Sequence, residues 1–126
     1  MTQERMSAAE ARAQLAPAAK PSKYRNTPVT VDGIRFDSKR EAAYYSELKI
    51  RERAGEVGGV ELQRPFKLLG PKGELIATYR ADFAFYDFQQ DRFRVIDVKG
   101  APETAVFRLK KRLMRALNGI DVEVVR

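Results

Sequence analysis

The chain contains no cysteine and no histidine. These two absences remove whole chemistries: no Cys/His zinc site, thiol nucleophile or Ser-His-Asp triad can be built from it. A metal, if one is used, has to be held through oxygen, which favours Mg²⁺ or Mn²⁺ over zinc or copper. No apolar run approaches the ~20 residues of a membrane span. The amino terminus also lacks the continuous apolar core of a secretory signal, so the expected location is the cytoplasm. Acid is the scarcer charge: 17 Asp and Glu stand against 24 Lys and Arg, for a net charge of +7. That balance favours a polyanionic partner, with nucleic acid ahead of a membrane surface because no basic amphipathic apolar segment stands alone. At 126 residues the chain can bury a core without disulfides or a structural metal.

Residues 1–22 are Ala-rich and polar, interrupted by Pro17 and Pro21, and read as a flexible tail. The domain is expected over residues 23–126. Asp32-Gly33 between Val29-Thr30-Val31 and Ile34-Arg35-Phe36 predicts a hairpin, since a type I′ turn needs positive φ at both central positions. Ser38-Lys39-Arg40-Glu41 matches a capping box, opening a helix that runs to Ala54 and is closed by Gly55. Ala42, Tyr45 and Leu48 recur at helical spacing and should face the core. A strand from Leu62 to Leu69 is expected to enter through Gly58-Gly59, with Pro65 placing it near an edge or a bulge. Pro71 to Glu74 form a turn, and Leu75 to Phe88 form one long strand or two with a bend. Gln89-Gln90-Asp91 then lead into Arg92–Gly100, a strand by its β-branched and aromatic content. Pro102-Glu103-Thr104 starts a second helix that stops at Asn118-Gly119. Its apolar stripe is read as Val106, Leu109, Leu113 and Leu117, with Arg108, Lys111, Arg112 and Arg115 on a separate basic face. Asp121 to Val125 form a closing strand.

The chemistry gathers on the strand Arg92–Gly100. Alternation puts Val95, Asp97 and Lys99 on one face, with Asp97 and Lys99 roughly 6–7 Å apart along the strand. A salt bridge on an edge strand is the plain explanation of that pair. Asp82, however, precedes Asp97 by 15 residues across a short turn. Antiparallel pairing would set the two acids side by side, and adjacent like charges destabilise a sheet unless a cation lies between them. Two carboxylates, a nearby lysine and a following basic helix outline a metal-dependent phosphodiesterase site with a means of holding a phosphate backbone.

Glu41 on a first helix, Asp82 in a strand and Asp97-Val98-Lys99 in the next strand resemble the PD-(D/E)XK nuclease superfamily. Its αβββαβ core has the element order found here from Ser38 to Val125. The wider string, DGIRFDSKREAAYYSEL, YRADFAFY, VIDVKG and FRLKKRL, is similar to a small nuclease-like family of phages and prophages named only as unknown in function. The resemblance implies an α/β (α+β) fold, with a mixed sheet flanked by two helices behind an N-terminal hairpin. It implies an endodeoxyribonuclease using Mg²⁺ or Mn²⁺, in which Asp82, Asp97, the Val98 carbonyl and Glu41 bind metal and Lys99 completes the catalytic set. Ala81 stands where the family has proline, a position that contributes no ligand. Glu41 is equally accounted for by the capping box alone. Gln63, Thr104, Lys110 and Lys111 fall where phosphate could be met, beside the basic face of Arg108, Arg112 and Arg115; a solvated face is the alternative. With no insertion large enough to read bases, branched or nicked DNA is the expected substrate, and cutting both strands would call for a homodimer. A non-catalytic DNA-binding or packaging accessory, and an RNA-directed nuclease, are the competing readings.

Overall fold

A computed structural model describes residues 27–126; the expected tail over residues 1–22 and the start at Lys23 lie outside them. The chain divides into two compact units, Met1–Ser46 and Glu47–Arg126. The element order is β1 (Val29–Val31), β2 (Ile34–Phe36), α1 (Lys39–Arg53), β3 (Val57–Leu69), β4 (Leu75–Asp87), β5 (Arg92–Val98), α2 (Ala105–Asn118) and β6 (Val122–Val125). The fold is α+β, and this order is the one read from the sequence. No helix among the described residues is long and apolar enough to cross a membrane.

In the first unit, β1 and β2 pair antiparallel with Val31 opposite Ile34. Asp32 and Gly33 both have positive φ, 54° and 75°, as a type I′ turn demands. The Tyr45 hydroxyl donates to Asp32 Oδ2 at 3.0 Å, and the Tyr45 and Phe36 rings lie 5.0 Å apart, so the hairpin is tied to α1. α1 begins where Ser38 Oγ accepts the Glu41 N–H at 3.1 Å.

In the second unit, four strands are ordered β3-β4-β5-β6. β3, β4 and β5 are antiparallel neighbours, while β6 runs parallel to β5. Parallel pairing needs a crossover, and α2 supplies it. Thr104 caps α2 by accepting the Phe107 N–H, and Gly119 ends it at φ 69°. β3 is an edge strand, which accommodates Pro65. It begins at Val57, however, so Gly58 and Gly59 lie inside it, at a register shift rather than at an entry.

The expected apolar stripe of α2 is corrected by the packing. Phe107 and Met114 are the buried residues of this helix, whereas Val106 and Leu109 are 63% and 48% exposed. Leu117 is exposed as well, and only Leu113 of the expected set is packed against the core. Phe107 and Met114 join Phe66, Leu68, Tyr79, Ala81, Ala84, Val95 and Val122 in one cluster. Phe83, Phe85 and Ile96 are buried as well, and so are Leu48 and Val57 of the same unit.

That cluster takes Tyr79 and Ala81 from one alternation of β4 and Ala84 from the other, so the alternation breaks between Ala81 and Ala84. The break coincides with Gln63, which sits in β3 with φ 53°. Residues with a side chain seldom adopt this conformation, and such outliers gather at functional sites. The irregularity surrounds Asp82.

Candidate active site

β4 and β5 pair from Phe83↔Ile96 to Asp87↔Arg92. Continued by one residue, this register sets Asp82 across from Asp97. There the strands part, and the Asp82 side chain takes over: its Oδ2 accepts the Val98 N–H at 2.8 Å. Toward Leu75, β4 keeps β3 as its partner while β5 turns away. The N-terminal turns of α2 face this gap across a groove of about 480 Å³, lined by Thr78, Tyr79, Arg80, Asp82, Asp97, Lys99, Thr104, Val106, Phe107 and Lys110.

Asp97 lies at the floor, 5% exposed. Its Oδ2 accepts the Tyr79 hydroxyl at 2.5 Å, and its Oδ1 lies 3.5 Å from Lys99 Nζ. Burial, the hydrogen bond to Asp97 and the negative charges of Asp97 and Asp82 hold the Tyr79 phenol protonated well above its ordinary range. The Asp97–Lys99 pair is thus real, yet it does not lie on an edge strand, because β5 is inside the sheet. Lys99 is anchored through its N–H to the Val125 carbonyl at 2.8 Å, and its ammonium lies 4.1 Å from the centroid of the Phe107 ring. On the other flank, Gln63 Nε2 donates to Asp82 Oδ1 at 3.2 Å, and the Gln63 carbonyl accepts from Arg80 Nη1 at 3.2 Å.

The groove therefore brings together Asp82, Asp97, Lys99, Thr104 and Lys110 of the sequence-predicted residues, with Gln63 held against Asp82. Thr104 has its hydroxyl oxygen committed to the helix cap. Glu41 stands in the first turn of α1, in the other unit. Among the described residues, no group of three or more acidic side chains is gathered as a metal cage. Val98 presents its N–H to Asp82 and stands opposite Val125 in β6.

The basic set is divided. Lys111 is half-buried and bound to Glu103 Oε1 at 3.4 Å, Arg108 donates to the Glu103 carbonyl at 2.7 Å, and Arg115 pairs with Asp121 at 2.5 Å. Arg112 is exposed. Lys110, not these four, is the basic residue of α2 that reaches the groove.

Tyr79 and Phe107 escaped the sequence reading. The alternation Tyr79-Ala81 hints at a core face for the tyrosine, but its contact with Asp97 depends on the break in alternation between Ala81 and Ala84, which no local signal announces. Phe107 is separated from Met114 by seven positions, a helical repeat masked by the longer run of leucines.

The donor set of the groove fits a hard divalent cation. Asp82 and Asp97 offer oxygen at adjacent positions, and a carboxylate has about four acceptor sites, more than the single hydrogen bond and ion pair at Asp97 consume. Mg²⁺ is commonly bound by one or two carboxylates with water completing its shell.

The molecule is thus an α+β domain with two strand carboxylates and a lysine at the floor of an open groove. The chain belongs to the family described as protein of unknown function DUF1064, whose model matches residues 21–122. Comparison with curated proteins and with solved structures gives no match.

Proposed function

We propose that the chain is a metal-dependent nuclease that hydrolyses phosphodiester bonds in DNA, acting on branched or nicked structures in phage or prophage DNA metabolism. The observation that carries this reading is Asp97, buried at the groove floor beside Asp82 and within 3.5 Å of the Lys99 ammonium. Such a pairing has little value for stability alone, since burying charge costs more than an exposed pair returns. It is also the constellation that resembles the PD-(D/E)XK nucleases.

Asp82 and Asp97 would hold Mg²⁺ or Mn²⁺, with the Val98 carbonyl as the further ligand the resemblance implies. Bound there, the metal would supply Lewis acidity and a water of lowered pKa. The chain's own residues do the rest. Lys99 places a positive charge and three N–H donors at the floor, where they stabilise charge on a phosphate and orient the attacking water. Tyr79 donates to Asp97 and fixes the carboxylate's orientation. Lys110 meets the phosphate backbone at the groove wall, and Arg112 with its neighbours extends the positive surface along α2.

A cleavage assay over linear, nicked, branched and single-stranded DNA and over RNA tests this. We expect cutting that requires Mg²⁺ or Mn²⁺, stops with EDTA and disappears in Asp97→Asn while DNA binding in Ca²⁺ survives. Binding of every substrate without cutting of any would instead support a second reading. That reading draws on Asp82, whose bonds to Val98 and Gln63 are those of a structural acid: a DNA-binding accessory without catalysis.

A further inference from the structure

The groove contains a closed circuit of four side chains. Asp97 Oδ2 accepts from Tyr79, Asp97 Oδ1 faces Lys99 at 3.5 Å, the Lys99 ammonium lies 4.1 Å from the centre of the Phe107 ring, and the Phe107 and Tyr79 rings lie 6.2 Å apart. A cation within about 6 Å of a ring centroid is attracted by the negative face of the π-system. A lysine head swings on a flexible four-carbon stem, so something has to select its position. The weak contact to Asp97 fixes one direction, and the ring fixes the second.

Phe107 is itself well held. It is 8% exposed, its N–H is bound by the Thr104 cap at 3.1 Å, and its ring packs in the cluster shared with Tyr79. It also lines the groove, which core packing alone does not require. Lys111 lies farther from the same ring, at 5.8 Å, and is tied to Glu103.

We propose that Phe107 is a positioning residue for Lys99, its ring face holding the ammonium beside Asp97 at the groove floor. This rests on the nuclease reading, in which Lys99 acts on the phosphate and Phe107 acts through Lys99. An ammonium freed from the ring spends less time in the productive place. Removing the ring should therefore lower kcat and leave KM, which reports binding along the groove, nearly unchanged.

The test compares the full-length wild type with Phe107→Leu, Phe107→Tyr and a series carrying one, two or more fluorines on the ring at position 107. Fluorination drains the ring face while keeping its shape, so it separates the cation contact from packing even where Phe107→Leu fails to fold. Cleavage is measured as kcat and KM. The Lys99 ε-methylene proton shifts are read by NMR, since protons over a ring face move upfield. We expect kcat to fall stepwise with fluorine number and by about 5- to 10-fold in Phe107→Leu, with KM within about twofold and Phe107→Tyr near wild type. The Lys99 shift should be upfield in wild type and Phe107→Tyr and return to the ordinary lysine position in Phe107→Leu. If wild type cuts and the fluorinated series cuts equally fast, Phe107 is packing only and the inference falls while the nuclease reading stands. A drop of kcat in Phe107→Tyr as deep as in Phe107→Leu overturns it too. If wild type cuts no substrate, the nuclease reading falls and takes the inference with it.

Discussion

Gln63 holds φ 53° in the middle of a strand, and its amide donates to Asp82. A residue with a Cβ loses roughly 1 kcal/mol there, and glycine does not. Gln63→Ala and Gln63→Gly both delete the amide, but only glycine relieves the backbone, so whatever the side chain contributes cancels between them. Gln63→Gly should therefore be the more stable of the two by about 1 kcal/mol in urea unfolding; equal midpoints would mean that the left-handed backbone carries no strain. At this scale the sequence announced Asp82, Asp97 and Lys99, because a short turn between two strands fixes which residues meet. Tyr79 and Phe107 were not legible. Each reaches the site from an element whose facing depends on a break in alternation or on a distant strand. Ser38 was legible as the cap of α1, and its oxygen on the Glu41 N–H bears that part out.

Among the elements, α2 shows how far pattern reading goes. Its ends were readable, since Thr104 and Gly119 are local signals, but its buried side was not. Val106, Leu109, Leu113 and Leu117 make the longer apolar line, whereas Phe107 and Met114 are what the sheet receives. Met114→Ala should cost about 2–4 kcal/mol, while Leu109→Ala stays within roughly 0.5 kcal/mol. Similar destabilisation of the two in urea titrations would restore the leucine stripe as the buried side. A second element-scale device joins α1 to the β4–β5 turn. Asp87, fully buried, accepts from Arg94 at 2.9 Å, from Arg51 at 3.2 Å and from the Gln89 and Gln90 N–H groups. Burial alone would raise its pKa, but these donors outweigh it and hold the carboxyl down at about 2. The sign follows: a depressed folded pKa gives stability that is complete above the ordinary carboxylate range and disappears as pH falls through about 2. Asp87→Asn should melt well below wild type at pH 5–7, with the gap closing as the pH falls toward 2. A gap that stays constant over that range would mean the charge of Asp87 is not what stabilises the turn.

For the whole molecule, the net charge of +7 and the groove's own acids pull in opposite directions. On the proposed reading the positive surplus serves to hold a phosphate backbone, and replacing Lys110 and Arg112 with glutamine should flatten the salt dependence of DNA binding by about one unit for each phosphate no longer neutralised. An unchanged slope would assign both residues to solvent. The carboxylates at the groove floor, by contrast, are where the proposed cation would sit. Mg²⁺ or Mn²⁺ at 100 times its dissociation constant should stabilise the protein by about 2.7 kcal/mol, read as a raised Tm against EDTA at matched ionic strength. If Asp82, Asp97 and Lys99 form the proposed working site, Lys99→Ala removes its ammonium and leaves both carboxylates in place. Measured in Mg²⁺ on the best DNA substrate, cleavage should fall about 10²–10³-fold, while the Tm and its metal-induced shift stay near wild type. Cleavage by Lys99→Ala at the wild-type rate would place any nuclease activity elsewhere and contradict the assignment.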